Sequence, residues 1–183
     1  MAELVAESLY LFLPAYAANM VPILAKRLNL FASLARPLDG GARLRGQPLF
    51  GPHKTVRGFV LGFGAALGVA SFQWALARSG SVMRALSSEP HEVLSPVLWG
   101  GALGGGALLG DLGKSFVKRR LGIPPGRRWF PWDQLDLVVG ALLLGRLLYP
   151  FSWETIVVLV VATPLLGLVV SAGGYVLSVK EAW

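Results

Sequence analysis

The sequence predicts an all-α integral membrane protein of five transmembrane helices, with two large loops on one face. Three observations carry this prediction. Of the 183 residues, 54% are hydrophobic and only 15% charged, where an average soluble domain has about 25% charged. Mean hydropathy is +0.59. The apolar residues come in runs. Residues 8–25, 58–77, 93–110 and 155–179 carry no charge, and each run approaches the roughly 20 residues a helix needs to cross a ~30 Å hydrocarbon core. A fifth stretch, 137–149, is interrupted only by Arg146. Finally, the cations gather between the runs rather than within them. This composition argues against a soluble globular domain, a disordered chain and a nucleic-acid-binding tail. With no cysteine, disulfides, thiolate zinc sites, iron–sulfur clusters and cysteine nucleophiles are excluded.

The expected spans run over about 5–25, 57–78, 93–111, 134–149 and 155–178, and make one membrane-embedded domain over residues 1–183. The first span contains Ala15-Tyr16-Ala17, which has the form of a signal cleavage site. Its leading segment, however, holds Glu3 and Glu7 and no Lys or Arg, the reverse of a signal peptide, so an uncleaved helix is expected. The second span, GFVLGFGAALGVASFQWALA, ends near an interfacial Trp74. The third holds GGALGGGALLG, residues 100–110, where Gly100/Gly104, Gly101/Gly105 and Gly106/Gly110 are small residues one turn apart. That spacing lets helix backbones approach closely in lipid, and it leaves a homodimer open. The fourth and fifth spans are joined by the short link Pro150–Glu154. Pro14, Pro22, Pro96 and Pro164 lie in or near spans, where each removes a helix hydrogen bond.

Loops 26–56 and 112–133, with Arg57 and Lys180, hold all of the 17 Lys and Arg except Arg78, Arg84 and Arg146. The positive-inside rule therefore places both loops and the C-terminus in the cytoplasm and the N-terminus outside. The formal net charge of +7 is explained by topology, and no nucleic-acid partner is expected. Trp153 and Trp183 are read as interfacial anchors, and so, in preference to a stacking role, are Trp129 and Trp132.

Three features are not explained by topology alone. Asp111 closes the glycine-rich span at the membrane face. A carboxylate costs about 2.5–3.5 kcal/mol at the bilayer centre and less near the surface, and a helix C-terminus disfavours negative charge; both suggest a compensating cation. Asp133 and Asp136, in PWDQLD, open the next helix three residues apart and project from one face. A capping role suits them equally well. Together the three aspartates offer oxygen ligands of the kind Mg²⁺ takes alongside substrate phosphates. The third feature is the set of cations beside them: Lys114, Lys118, Arg119 and Arg120 on one side, and His53, Lys54 and Arg57 in GPHKTVRG on the other. Such an assembly suits phosphoryl chemistry; binding of anionic headgroups without chemistry is the alternative. Gly113-Lys114-Ser115 is not the end of a phosphate loop, because Leu108 stands where the first glycine belongs. Asp39-Gly40-Gly41-Ala42-Arg43 is one residue short of the DGxxAR motif of CDP-alcohol phosphotransferases.

GDLGKSFVKRRLGIPPG, residues 110–126, followed by PWDQLD, 131–136, resembles the CTP-dependent cytidylyltransferases of membrane lipid synthesis. With KRRLG, DQLD and an upstream GPHKTVRG in a short chain, it looks like their archaeal branch, the CDP-archaeol synthase family. The resemblance covers nearly the whole chain. It implies a Mg²⁺-dependent transfer of CMP from CTP to 2,3-bis-(O-geranylgeranyl)-sn-glycerol 1-phosphate, releasing pyrophosphate, with CTP entering from the cytoplasm. It carries over Asp111, Asp133 and Asp136 as metal ligands. His53, Lys54, Thr55, Arg57, Lys118 and Arg119 carry over as CTP and phosphate contacts, and Asn19 and Ser115 as residues that orient substrate. Lys114 departs from the acidic or small residue expected at its position and is not assigned. The lipid chains are expected in a groove between spans beside the glycine-rich helix. The chemistry is consistent: a phosphomonoester is already anionic near pH 7, so neutralising charge matters more than a general base. The competing readings are a small transporter or channel using the acids as an ion path, and a scaffold for anionic lipid. The charges sit at one face rather than at mid-depth, which disfavours the transporter, and a scaffold leaves the three acids unexplained.

Overall fold

A computed structural model describes residues 1–79, 94–127 and 129–176, with side chains to 168. Among these the chain forms six α-helices: α1 Ala2–Leu11, α2 Leu13–Arg27, α3 Val56–Arg78, α4 Pro96–Arg120, α5 Trp132–Gly145 and α6 Trp153–Val176. A two-stranded hairpin, β1 Arg43–Leu44 and β2 Gln47–Pro48, is the only sheet among the described residues. The all-helical expectation holds. Most of loop 79–92, Arg128 and the end of the fifth span fall outside the described residues.

The first expected span is two helices bent by 56° at Phe12. Pro14 enters α2 in its first turn and has no N–H for the Tyr10 carbonyl. Gln73 of α3, buried, donates its Nε2 to that carbonyl at 2.6 Å. Phe12 itself is fully buried and meets Phe151 edge-on at 5.7 Å, in an aromatic cluster with Trp99 and Tyr149. Pro22 likewise removes the donor for the Ala18 carbonyl. A Cβ on Gly62 of α3 would lie only 2.4 Å from that oxygen, so α2 and α3 meet where only a glycine fits.

Helix α4 is central, packing on α2, α3 and α5. Its glycines divide between two neighbours. A Cβ on Gly104 would lie 2.2 Å from the Ala66 Cβ of α3, and one on Gly106 would lie 2.3 Å from the Gly140 carbonyl of α5. Two of the small-residue pairs read from sequence, Gly100/Gly104 and Gly106/Gly110, are therefore packing devices within one chain, while Gly101 and Gly105 meet only the Phe63 ring at ordinary distance. Helix α6 packs on α5 and α1, and Tyr16 hydroxyl and Thr163 Oγ1 share a hydrogen bond of 2.7 Å.

Among the described residues only Val56–Arg78 is long and apolar enough to cross a membrane alone; the bent pair α1–α2 passes jointly, and Trp153–Leu168 is a shorter apolar stretch. The third expected span is the clearest difference. The helix does not stop at 111 but runs to Arg120. Asp111 marks the end of the apolar stretch, not of the helix. The helix stops where Gly122 adopts φ +72°, with Ile123 N–H on the Lys118 carbonyl and Gly122 N–H on that of Arg119, a Schellman ending followed by Pro124.

Candidate active site

Because α4 continues, Asp111, Lys114 and Lys118 fall on one face at spacings of three and four. Asp111 is therefore interior to α4 and not at a helix C-terminus, where the dipole would oppose its charge. Its compensating cations are real, however. Lys54 Nζ donates to Asp111 Oδ2 at 2.5 Å, and Lys114 Nζ lies 3.2 Å from Asp111 Oδ1. The same Lys114 ammonium lies 2.6 Å from Asp136 Oδ2 and 3.4 Å from Asp133 Oδ1. Lys118 Nζ donates to both Asp133 oxygens, at 3.0 and 3.1 Å, and to the Arg127 carbonyl at 2.5 Å. Three aspartates and three lysines thus form one continuous, neutral cluster.

Helix α5 reaches the cluster through its N-terminus. Asp133 sits in the first turn and accepts the N–H of Trp129, which precedes the helix, at 2.5 Å; no side chain caps the N-terminus of α5, so the cluster role stands and the capping role does not. Burial alone would raise the Asp133 carboxyl. The Trp129 amide, Lys118 and Lys114 outweigh it and hold the group below the ordinary aspartate range.

Lys54 is delivered by a strap between α2 and α3. Asp39 accepts N–H groups from Gly41, Phe50 and Gly51 at 2.9, 3.0 and 3.4 Å; these bonds hold its carboxyl low against the opposing effect of burial. The Asp-Gly-Gly segment is therefore a loop staple. Leu38 N–H on the Lys54 carbonyl and Val56 N–H on that of Arg36 pin the strap beside α3. Arg120 fastens the hairpin to α4 through the carbonyls of Leu44, Gln47 and Pro48. Thr55 is the N-cap of α3, its hydroxyl accepting the Gly58 N–H at 3.1 Å, and Arg57, buried, donates to the Leu30 carbonyl at 3.1 Å.

Two cavities flank α4. A polar one of about 590 Å³ opens between α2, α3 and the strap, lined by Asn19, Lys26, His53, Lys54, Arg57 and Asp111 among others. Burial, then the charges of Lys26, Lys54 and Arg119, push the His53 imidazole below its ordinary value. The other cavity is an apolar groove of about 410 Å³ between α4 and α5, lined by leucines and valines, by Trp129 and Trp132, and at its polar end by Lys114 and Asp136. The two tryptophan rings lie 5.9 Å apart on the groove wall.

The structure thus brings Asn19, His53, Lys54, Thr55, Arg57 and Asp111 to one cavity, and Asp133 and Asp136 to the cluster. Lys118, Arg119 and Ser115 line neither cavity. Ser115 and Arg119 are buried, and the Arg119 Nε and Nη1 have no hydrogen-bond partner. Two residues were passed over in the sequence. Lys114 is at the centre of the cluster, and the stripe 111/114/118 marks it once the helix is extended. Lys26 shares the face of Asn19 and Ile23, at spacings of seven and three.

Mg²⁺ demands oxygen ligands at about 2.0–2.1 Å. The three aspartates fit it in kind, and their oxygens converge on one point, which Lys114 Nζ occupies. Among the described residues no three acidic or histidine side chains are gathered tightly enough to hold an ion as they stand.

The family model described as "CarS-like: CDP-archaeol synthase" matches residues 1–183. A protein named CDP-archaeol synthase from Methanospirillum hungatei JF-1 is 40% identical, over 84% of this chain and 94% of its own length. One of the same name from Thermofilum pendens is 38% identical, over 97% of this chain and 80% of its own. A solved structure described as "Structural insight into an intramembrane enzyme for archaeal membrane lipids biosynthesis" is 36% identical, covers 89% of this chain and 91% of that one, and superposes with a TM-score of 0.69.

Proposed function

The chain belongs to the CDP-archaeol synthase family of lipid cytidylyltransferases, and from that premise we propose that it transfers CMP from CTP to 2,3-bis-(O-geranylgeranyl)-sn-glycerol 1-phosphate in a Mg²⁺-dependent reaction that releases pyrophosphate. We place it in the cell membrane as a multi-pass protein with the polar cavity facing the cytoplasm. The relative solved as an intramembrane enzyme supports the membrane location, and the basic loops support the orientation.

The observation that carries the reading is where the ion cluster lies. Asp111 lines the polar cavity, Lys114 and Asp136 line the apolar groove, and Asp111 and Lys114 are 3.2 Å apart. A water-soluble nucleotide and a lipid chain can each occupy a cavity suited to it, with their phosphates meeting at that wall. In this assignment Lys54, Arg57 and His53 receive the CTP phosphates. Asn19 and Lys26 complete the polar lining. Arg119 brings a guanidinium with unused donors, and Lys118 fixes Asp133. Asp111, Asp133 and Asp136 would hold Mg²⁺, which supplies charge neutralisation to the transferring phosphoryl group. No residue need act as a strong general base, because the lipid phosphate arrives ionised. The transporter reading loses its support with the family assignment.

The test uses the purified protein in detergent with Mg²⁺ and CTP, supplied with the geranylgeranyl ether phosphate, with phosphatidate, or with no lipid. Pyrophosphate and a CDP-lipid should form with the ether substrate. Turnover with phosphatidate as well would remove the restriction to ether lipid, and no turnover in folded protein would refute the reading.

A further inference from the structure

The cluster contains a cation that the proposed reaction does not use. Lys114 is half-way along the stripe of α4, and its ammonium touches all three aspartates at 2.6–3.4 Å. Lys54 and Lys118 each pair with only one of them. With the three carboxylates balanced by three ammoniums, the cluster carries no net charge. A divalent ion entering alone would leave two uncompensated positive charges in a partly buried place, beside three ammoniums. A triphosphate entering alone would find Lys54 and Lys114 already engaged by carboxylates. If both enter together, the carboxylates would hold the ion and the ammoniums would be free for the phosphates.

Resting on the metal and CTP assignment above, we propose that Lys114 is a resident cation that stands in for the divalent ion, so that metal and nucleotide bind well only as a pair. Lys114 suits this role in position as well as charge. It lines the polar end of the apolar groove, so an ammonium released from the aspartates is already beside the place where a lipid phosphate arrives. It is a positioning residue: it acts by deciding when the carboxylates are free.

The experiment measures binding of Mn²⁺, as a paramagnetic probe for Mg²⁺, to the full-length protein in detergent, by electron paramagnetic resonance and calorimetry, with and without CTP. The parent protein should bind free Mn²⁺ weakly and gain about tenfold or more when CTP is present, a factor ordinary for coupled sites. Lys114→Met should bind free Mn²⁺ about tenfold more tightly than the parent and lose most of the gain from CTP. Lys114→Arg, which keeps the charge, should behave as the parent does, and this control separates charge from folding. Equal affinity of the parent and Lys114→Met for free Mn²⁺, with both still binding it in the presence of CTP, would overturn the role of Lys114 and leave the metal assignment standing. Failure of the parent to bind Mn²⁺ under either condition would overturn both.

Discussion

Gly106→Ala tests whether the α4–α5 crossing sets the geometry of the cluster. The added Cβ would lie 2.3 Å from the Gly140 carbonyl oxygen and 2.8 Å from the Ala141 Cα. An ordinary carbon–oxygen contact is about 3.3 Å, so α5 must retreat by roughly 1 Å, because the opposing atoms are backbone and cannot turn aside. Overpacking of this kind costs about 1–3 kcal/mol, equivalent to a fall in melting temperature of about 3–10 °C for a chain of this size. The same retreat carries Asp133 and Asp136 away from Lys114 and Asp111. The contact of 2.6 Å between Lys114 and Asp136 then opens beyond hydrogen-bonding range. A misplacement of about 1 Å can cost roughly a hundredfold in rate, so turnover should fall further than stability does. Melting would be followed by intrinsic fluorescence in detergent and turnover by pyrophosphate release. Gly113→Ala is the control: it lies on the same helix, but no atom comes within 4 Å of its Cβ position, and alanine there should be neutral or stabilise by up to about 1 kcal/mol. A Gly106→Ala protein that melts and turns over like the parent, or a Gly113→Ala protein as damaged as Gly106→Ala, would show that the crossing does not set the cluster.

Three further outcomes are expected. Asp133→Asn should abolish CMP transfer while leaving the protein extractable and monodisperse by size-exclusion chromatography; near-normal turnover would remove Asp133 from the metal site. Arg119→Met should leave the unliganded melting temperature unchanged or higher, since it removes a buried cation whose Nε and Nη1 are unpartnered, yet raise the KM for CTP about tenfold or more; a lowered melting temperature with an unchanged KM would make Arg119 structural. Asp39→Ala should cost about 1–2 kcal/mol through its lost backbone acceptors. Because the folded Asp39 carboxyl is held low, that deficit should be complete above the unfolded value of about 3.9 and vanish as pH falls through the folded one. Denaturant melts of both proteins across pH would show a constant deficit if Asp39 is not a staple.

Hydropathy located the helices well and missed one end badly, that of α4, and one physical reason accounts for both. The uncharged run 93–110 reports where lipid-compatible surface ends. It does not report where hydrogen bonding ends, and α4 continues as a polar helix to Arg120. The stop was legible in other terms: Gly122 followed by Pro124 is a helix ending. Reading it would have aligned Asp111, Lys114 and Lys118 and put Lys114 among the site residues. The bend at Phe12 was signalled by Pro14, but its compensation by Gln73 depends on a contact 63 residues away, which no local pattern encodes. Among the residues of GPHKTVRG the sequence marked a cation-rich segment correctly, yet could not divide its labour. Thr55 is spent on capping α3 and Arg57 holds the Leu30 carbonyl, while Lys54 alone reaches a carboxylate of the cluster.

The glycines and the charges of α4 serve the same end. In the proposed reaction two reactants with opposite solvent preferences must meet, and the partition between the cavities assigned to them has to be thin where they do. Along the apolar half of α4, glycine lets α3 and α5 close against it with no room for a side chain. The seam to α5 stays shut as far as Gly110, where a Cβ would meet the Asp136 carbonyl at 2.2 Å. Immediately beyond, the next residue is Asp111, and within one turn the helix changes from a surface that excludes side chains to one that carries ionised groups toward both cavities. Asp111 belongs to the polar cavity and Lys114 to the groove, so the two sides of the partition are joined there by an ion pair rather than by packed backbone. Ionised groups can exchange partners when phosphates arrive; interlocked glycine backbones cannot. The close packing below therefore fixes the register of α5, and with it the position of Asp133 and Asp136, while the charged turn above is held by ion pairs. A substitution at Gly106, whose Cβ would meet Gly140 and Ala141, should consequently alter the cluster without touching any of its members.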